Sequence, residues 1–427
     1  MVEQPLFGHR LRQLRRARGL SQAQVAGGRM SASYISLVES GRRTPNADFA
    51  RLIAGQLGVP LTELVGVAEH RPSERAYRVD LIGRLMSARS ARSGGDHRHA
   101  AEQLRGIVAD ASDTEDRDVA WEARWEFAEA LGRLGELDER EAVLDALLDD
   151  RLTAETAALQ TRVLRALAEV SRHRGRLRDS TRIAERARCA GSTLPATAPE
   201  RVHASVDLLR GYVASGEWEQ GIALAEELLA VVDEVPVPTL RGLVHWTAGA
   251  MDFLHGKPDA GARFDRALAE IGPDNDVRLW ARLLRAAAAH RVAARELDAA
   301  RPLLARARQA IDLLGRPGDR FRLAVVEIAA ALAGGDRTAS LSAADELAAQ
   351  VPDRPPYDRA RALVVLARVA RRYGEPDDAA RHYQEAASRY EECGAYRLAA
   401  RAWRESTAEP AADDPGPEPD PHALILP

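Results

Sequence analysis

The sequence predicts an all-α protein, with a small N-terminal domain of five helices followed by a right-handed solenoid of about eight helical hairpins. Between residues 76 and 406, apolar residues recur three and four positions apart, the breaks contain Gly or Pro, and strand signals are nearly absent. Apolar residues at this spacing form one face of a helix, and Gly and Pro end helices. The length of 427 residues suits two to four domains or one long repeat array.

The breaks between these helices recur at one period, which is the second observation behind the fold class. Each break is a short polar pair, usually Gly followed by a charged residue, and successive breaks lie 39 to 41 residues apart. The eight pairs are Gly95-Asp96, Gly135-Glu136, Gly175-Arg176, Gly216-Glu217, Gly256-Lys257, Arg295-Glu296, Gly335-Asp336 and Gly374-Glu375. A single hairpin cannot bury its own apolar stripe, so this period predicts stacked hairpins in a solenoid.

The hairpins resemble tetratricopeptide repeats. The best local matches are Leu208 to Leu228 and Ala367 to Ala386, and the second contains Gly374 and Ala379 in family-like order. The period of about 40 exceeds the family's period of about 34, which predicts helices about one turn longer. The helix from Ala395 to Ser406 is predicted to cap the array.

Residues 6 to 66 are predicted to form the five short helices of the N-terminal domain. Ser21 and Gln24 have the spacing of a capping box that opens the second helix, and Ser31 can cap a third helix over Ala32–Ser40. Two short helices joined by a tight Gly-containing turn are typical of a helix-turn-helix.

This segment resembles the lambda-repressor-like (XRE) family of DNA-binding domains over about 60 residues. The resemblance is carried by Gly19 to Gln22, Ser31 to Pro45 and Leu57 to Leu64. It implies that the third helix is the recognition helix, with its N-terminal residues at base edges in the major groove. It also implies an ion pair between Arg15 and Glu39.

The resemblance assigns a set of residues to the DNA interface. Gln22 and the arginine pair after the third helix would meet phosphate, and the helix itself would meet bases. Two alternatives stay open, in which Tyr34 and Leu37 pack on the domain and the two arginines form a solvated loop. The third helix contains no Arg, Asn or Gln, so recognition of a particular DNA sequence would depend on DNA shape or on the loop arginines. The assigned residues are Gln22, Ser31, Ala32, Ser33, Tyr34, Ser36, Leu37, Arg42, Arg43 and Thr44.

The repeat resemblance implies an inner groove lined by the first helix of each hairpin. Aligning the breaks with the family's turn places mostly arginine on the groove-facing positions, and guanidinium groups suit a carboxylate, an acidic peptide or a phosphate. The alternative is that these arginines solvate helix surfaces and pair with neighbouring acids, since 59 of the 60 basic residues are Arg. The predicted ligand-binding residues are Arg162, Arg165, Arg210, Trp246, Arg282 and Arg285. Further predicted groove residues are Arg172, Arg322, Arg361, Arg368, Arg371, Glu122, Trp125, Glu129 and Glu169.

We refer to the N-terminal domain as the head and to the repeats as the body. A DNA-binding head joined to a repeat body resembles the RRNPP-type peptide-sensing regulators of bacteria. The resemblance implies a cytoplasmic, homodimeric transcription regulator acting in quorum sensing, with double-stranded DNA and a peptide or small-molecule effector as partners. One departure is that the chain has only two Asn, Asn46 and Asn275, whereas the family often clamps the peptide backbone with Asn. The alternative function is a protein-interaction scaffold that regulates a partner protein, with the head as a tether.

Composition excludes several other classes. The formal charge is −4, with +4 on residues 1–70, so a protein that coats nucleic acid by bulk charge is excluded. Two cysteines, Cys189 and Cys393, exclude a disulfide framework and are predicted to be small core residues. No uncharged stretch exceeds eleven residues, so no membrane span is predicted. Phosphate-binding and dinucleotide motifs are missing, and no catalytic residue, metal or cofactor is predicted.

The charge and composition also divide the chain into three parts. Residues 1–70 are predicted to be the DNA-binding domain and residues 71–406 the repeat domain for sensing and dimerisation. Residues 407–427 contain six Pro, five acidic residues and no Lys or Arg, which predicts a disordered tail. This tail ends in the apolar run Ala423 to Leu426, for which a partner-binding peptide and a terminus without function are both open.

Overall fold

The computed structural model describes residues 6–65, 74–112, 117–408 and 424. Within these residues the secondary structure consists of twenty-three α-helices and three short 3-10 helices, with no β-strand. The all-α class is therefore confirmed.

The N-terminal domain has the five predicted helices. Its core is formed by one apolar face from each helix, including Leu11, Ile35, Ile53 and Leu64, all of them fully buried. The helices are α1 (Leu6–Ala17), α2 (Gln22–Ala26), α3 (Ala32–Glu39), α4 (Ala47–Leu57) and α5 (Leu61–Val65).

The body contains the eight predicted hairpins and the capping helix. The first five hairpins are α6 (Glu74–Ser93) with α7 (His97–Ser112), α8 (Arg117–Leu134) with α9 (Leu137–Leu148), α11 (Ala157–His173) with α12 (Leu177–Ala190), α13 (Pro199–Ser215) with α14 (Trp218–Val231), and α15 (Pro238–Leu254) with α16 (Ala260–Glu270). The last three are α17 (Val277–Ala293) with α18 (Leu297–Leu314), α19 (Pro317–Ala333) with α20 (Arg337–Ala348), and α21 (Pro356–Arg372) with α22 (Pro376–Cys393). The short α10 (Arg151–Glu155) precedes α11, and α23 (Tyr396–Thr407) ends the array.

The chain divides into two compact units, residues 1–87 and 88–427, and α6 runs across the division. The sequence-based boundaries at residues 70 and 406 remain predictions, because residues 66–73 and most of the tail lie outside the described segments. The predicted disorder of residues 407–427 likewise falls largely outside them.

The body is built by contacts between the first helices of successive hairpins. α11 packs on α13 and α13 on α15, and the same relation links α17, α19 and α21. The resulting core is continuous from Ala168 to Ala402 and includes Trp246 and Tyr383. Four of these first helices begin with Pro, which has no amide hydrogen to leave unsatisfied in the first turn.

The body also turns back on itself, so that residues far apart in sequence touch. The Tyr357 hydroxyl donates a hydrogen bond of 2.9 Å to the backbone oxygen of Ala214, across 143 residues. The Arg397 guanidinium lies 3.6 Å from the Glu217 carboxylate. The eighth hairpin and the cap helix are thereby held against the fourth hairpin.

The prediction for the cysteines is half correct. Both thiols are free, and Cys393 is buried as predicted. Cys189 is exposed, so its assignment to the core is wrong. The buried stripe of α12 runs through Ala184 and Ala187, and a residue two positions further points about 200° away on a helix.

In the part of the chain that the structure describes, every helix is too short or too polar to cross a lipid bilayer.

Candidate nucleic-acid interface and candidate ligand groove

The turn between α2 and α3 is fixed by local caps. The Ser21 hydroxyl accepts from the Gln24 amide at 3.2 Å, and the Gln24 side chain accepts from the Ser21 amide at 2.7 Å, which completes the predicted capping box. The Ser31 hydroxyl accepts from the Tyr34 amide at 3.1 Å and starts α3. Ser31, assigned to the DNA interface, therefore also has a structural role.

The two faces of α3 differ in character. Ile35 and Val38 point into the core and are fully buried. Three small residues and one large apolar residue are exposed on the opposite face, and the large one, Leu37, is 39% exposed. The exposed set consists of Ala32, Ser33, Ser36 and Leu37.

Tyr34 lies between these two faces. Its ring is half-buried, with its centroid 5.4 Å from that of Phe49, and the Arg43 guanidinium lies 5.6 Å above it. This placement favours the alternative in which Tyr34 packs on its own domain. Arg42, Arg43 and Thr44 are all exposed in the loop after α3.

A buried carboxylate joins the first three helices. Glu39 on α3 accepts from Arg15 on α1 at 2.5 and 3.0 Å and from the Gln22 amide on α2 at 2.9 Å. Burial alone would raise the pKa of Glu39, but the hydrogen bonds from Arg15 and Gln22 outweigh it and hold the pKa below its usual value. The implied Arg15–Glu39 pair is present.

The bond to Glu39 also affects the assignment of Gln22. Its side-chain nitrogen is engaged inside the domain, so a phosphate contact would need the other end of the amide or a break of this bond. Sequence reasoning did not find this link, because the two residues are 17 positions apart on different helices.

In the body, arginines on one first helix pair with acids on the next. Arg162 and Arg165 on α11 lie 2.8 Å from Glu200 and Asp207 on α13. Further along, the same pairing joins Arg282 to Asp319 at 2.9 Å and Arg322 to Asp358 at 2.8 Å. We refer to the arginines of these inner positions as the arginine wall: Arg162, Arg165, Arg172, Arg210, Arg282, Arg285, Arg322, Arg361, Arg368 and Arg371.

The wall borders a cavity of about 320 Å³ between α8, α11 and α13. Within the described residues, Arg172 on this cavity has no ion-pair partner within 4.0 Å, whereas Arg165 and Arg210 share Asp207. Arg162 also lies over the Trp125 ring, at 5.8 Å. The cavity is lined by Trp125, Glu129, Arg162, Arg165, Ala166, Ala168, Glu169, Arg172, Ser180, Asp207 and Arg210.

Two of the predicted ligand-binding residues lie below the surface. Trp246 is fully buried, and the Arg210 guanidinium covers its ring at 5.7 Å. Arg285 is 3% exposed. A ligand could reach either one only after a neighbouring side chain moves.

Several arginines of the wall lie close enough together to affect one another's pKa. Burial, together with the charges of Arg172 and Arg282, lowers the pKa of Arg210 to about 10. Burial and the charges of Arg361 and Arg322 lower the pKa of Arg285 to about 9. Since like charges lower each other's pKa in this way, the wall would be stabilised by an anionic occupant.

Neither asparagine of the chain belongs to this groove surface. Asn46 caps α4 by accepting from the Phe49 amide at 2.9 Å, and Asn275 accepts from the Gly272 amide at 2.9 Å in a turn. Both have local structural roles, so any ligand must be held by other side chains.

Comparison with known proteins identifies the N-terminal domain. Residues 6–65 match the family model described as "Helix-turn-helix domain". No curated protein matches the chain in sequence.

Two solved structures share the fold along most of the chain. The Rap protein complexed with Competence and Sporulation Factor aligns with a TM-score of 0.52 and 12% identity, over 93% of this chain and 96% of that one. The apo form of RapI aligns with a TM-score of 0.51 and 14% identity, over 93% and 98%. At these identities the likeness shows the fold alone.

A third structure, Bacillus thuringiensis PlcR in complex with the peptide PapR7 and DNA, has a TM-score of 0.37 and 15% identity over 62% of this chain and 94% of that one. At this TM-score no conclusion rests on it. The chain therefore joins a helix-turn-helix domain to a helical body that shares its fold with the two Rap structures.

Proposed function

We propose that the protein is a sequence-specific transcription regulator, homodimeric in the bacterial cytoplasm, whose repeat body binds an effector and thereby changes DNA binding. The observation that carries this proposal is the outer face of α3. Small and apolar side chains there stand clear of the core, and Arg42 and Arg43 follow at its end. Such a face suits contacts with thymine methyl groups and base-edge acceptors, and flanking arginines suit phosphate.

The effector site in this proposal is the arginine wall. Its arginines line a cavity large enough for a few ligand atoms, and they leave a surplus of positive charge. We therefore expect an effector with a carboxylate or phosphate group, such as a short acidic peptide. An effector shifts DNA binding only if it binds one conformation of the body more tightly than another.

The test is footprinting of the purified protein on the region upstream of its own gene and on neighbouring promoters, over a salt series. A protected inverted repeat with a steep salt dependence would support a dimeric, sequence-specific regulator. Weak binding that ignores sequence, with or without added acidic peptides, would contradict it.

Replacing Arg42 and Arg43 by Gln should weaken binding to all DNA sequences about equally. Each lost phosphate contact lowers the slope of log affinity against log salt by about 0.9, so the pair should lower it by about 2. The matched control is Arg301→Gln with Arg381→Gln, since these side chains are 76% and 73% exposed on the body. If the slope of log affinity against log salt is unchanged in the head variant, Arg42 and Arg43 do not contact phosphate.

A further inference from the structure

Two guanidinium groups that line one cavity of the body make no hydrogen bond to any of the described residues. The cavity is the one between α8, α11 and α13, and the two arginines are Arg172 on α11 and Arg210 on α13. Within the same described segments Arg172 has no carboxylate within 4.0 Å, and the Nε of Arg210 is buried without a partner. Polar groups in a partly enclosed site are costly when unpaired, so both arginines favour an occupant that supplies acceptors.

The carboxylate beside Arg210 is already engaged by another arginine. Asp207 Oδ2 accepts from the Nε of Arg165 at 2.8 Å, whereas Asp207 Oδ1 lies 3.6 Å from the Arg210 guanidinium, beyond hydrogen-bond distance. The guanidinium of Arg210 rests instead on the buried ring of Trp246, 5.7 Å from the ring centroid. Arg210 is therefore held in position while its N–H groups stay available to a ligand.

The other acids of the cavity are also paired. Glu169 and Glu129 lie 2.9 and 3.5 Å from one guanidinium, that of Arg140. Arg162 pairs with Glu200 at 2.8 Å. Together with these partners, the described charged groups around the cavity are five arginines and four carboxylates, which leaves one positive charge uncompensated. They are Arg140, Arg162, Arg165, Arg172, Arg210, Glu129, Glu169, Glu200 and Asp207.

The pKa values of two groups in the cavity agree with this excess. Partial burial would raise the pKa of Glu169, but the charges of Arg140 and Arg172 lower it to about 2. The pKa of Arg210 is lowered as well, to about 10, by burial and by the charge of Arg172. A positive potential lowers the pKa of acids and bases alike, so the cavity favours an anion.

The cavity has an apolar side as well. Trp125 stacks on Trp121 with the ring centroids 6.0 Å apart and the planes 7° from parallel, and Ala166 and Ala168 add small apolar side chains to the lining. The volume of about 320 Å³ lies at the lower end of the range of about 300–1,000 Å³ for small-molecule sites. One small organic acid, or the end of a peptide, fits such a space.

We propose that this cavity binds one carboxylate group of an organic ligand, with Arg172 and Arg210 as donors and the apolar part of the ligand against Trp125. A carboxylate brings a single negative charge and two acceptor oxygens that match the fork of a guanidinium. Arginines that already pair with acids, such as Arg165 and Arg282, join neighbouring helices and do not contact the ligand. The inference rests on the function proposed above, because it names the chemical class of the effector.

The test is calorimetric titration of the full-length protein with two matched pairs of probes. Benzoate and benzamide differ in charge but hardly in shape, and acetyl-alanyl-phenylalanine is compared with its C-terminal amide. A charged hydrogen-bond pair is worth a factor of about ten or more, so an acid should bind at least about tenfold more tightly than its amide. The pair that shows this difference identifies the source of the carboxylate as a small acid or a peptide C-terminus. Equal affinity within both pairs, or no binding of either acid at millimolar concentration, would overturn the proposal.

The variant Arg172→Gln assigns the site to this cavity. It should weaken binding of the acid probes at least about tenfold and leave binding of the amides unchanged. Because Arg172 has no ion pair to lose in the described structure, the variant should keep the melting temperature of the wild type. The matched control is Arg301→Gln, a side chain 76% exposed on α18, which removes the same charge and should bind as the wild type does.

Two results with these variants would overturn the assignment. An equal loss of affinity in the control would show attraction by net charge alone, and a lowered melting temperature of Arg172→Gln would show that Arg172 has a structural role. Hydrogen exchange supplies the location, since the acid probe should slow exchange in α11 and α13 of the wild type. Slower exchange confined to other helices would also contradict the proposal.

The outcome separates from that of the proposed function. Footprinting reports on DNA alone, and calorimetry with these probes reports on the cavity alone. A protein that discriminates the acids from their amides but protects no operator would keep the carboxylate site and lose the regulator proposal. A protected operator without discrimination between the probes would reject the carboxylate site alone.

Discussion

A single buried carboxylate links the first three helices of the head through hydrogen bonds. Glu39 is 8% exposed and accepts three hydrogen bonds, two from Arg15 and one from Gln22. Because α3 carries the exposed residues of the candidate DNA interface, this one side chain connects core packing to the orientation of that interface. Removing one partner leaves the other charge buried and uncompensated.

The variant Arg15→Met should therefore destabilise the head by about 3 kcal/mol. The measurement is hydrogen exchange of the α3 amides in the full chain, where faster exchange reports the lost stability. The control is Arg51→Gln, since Arg51 is exposed and its pair with Asp48 should contribute less than about 1 kcal/mol. Equal exchange in the two variants would show that the Glu39 contacts are dispensable.

The lowered pKa of Glu39 predicts a pH dependence of the same amides. A carboxyl group whose pKa is lower in the folded state contributes stability above its unfolded value of 4.5, and this is lost as pH falls through the folded pKa. After correction for intrinsic exchange rates, protection of α3 should be constant from about pH 7 to 5 and fall below about pH 4. The variant Glu39→Gln should lose this step, and a step that persists there would assign it to another group.

At the scale of the elements, the hairpin turns share one backbone conformation. Seven of the eight turns have Gly with φ between 65° and 91°, and the sixth has Arg295 with φ of 60°. A side chain in this left-handed region is strained, whereas Gly is not. The turn at Arg295 is recognisable in the sequence only because the period demands a break there.

Replacing Arg295 by Gly should stabilise the body, by up to about 1 kcal/mol. The reciprocal change, Gly335→Ala, has open space around its Cβ and should cost about 1 kcal/mol through backbone strain alone. Both values follow from denaturant titration of the full chain by tryptophan fluorescence. Destabilisation by the glycine would show that the Arg295 side chain contributes more than its strain costs.

At the scale of the whole body, a few long-range contacts close the solenoid. The Tyr357 hydroxyl bonds to the Ala214 backbone oxygen, and Arg397 reaches Glu217, so the last hairpin meets the fourth. These contacts join helices that are far apart in the sequence.

The variant Tyr357→Phe should lower stability by about 1–2 kcal/mol, because it removes a buried hydrogen bond and keeps the ring. Hydrogen exchange at the end of α13 should rise with it. The control is Tyr396→Phe, whose ring is 58% exposed and whose loss of a hydroxyl should change stability by less than about 0.5 kcal/mol. An unchanged α13 in the Tyr357 variant would argue that the closure is held by other contacts.

The sequence by itself determined the all-α class, the eight hairpins, the helix caps of the head and the arginine content of the inner positions. These features depend on residues close together in the chain, such as Ser21 with Gln24 or the Gly found in seven of the eight turns, so local patterns are enough to predict them.

Only the tertiary structure decided which charges pair and which side chains face the groove. Arg165 donates a hydrogen bond to Asp207, 42 residues further along the chain, and Gln22 donates one to Glu39. The ring of Trp246 lies beneath the guanidinium of Arg210, which belongs to the preceding hairpin. Such contacts depend on the angle at which helices cross, which small differences in packing set and no periodic pattern encodes. The groove's chemistry was thus visible in the sequence, and its geometry was fixed by the stacking of the hairpins.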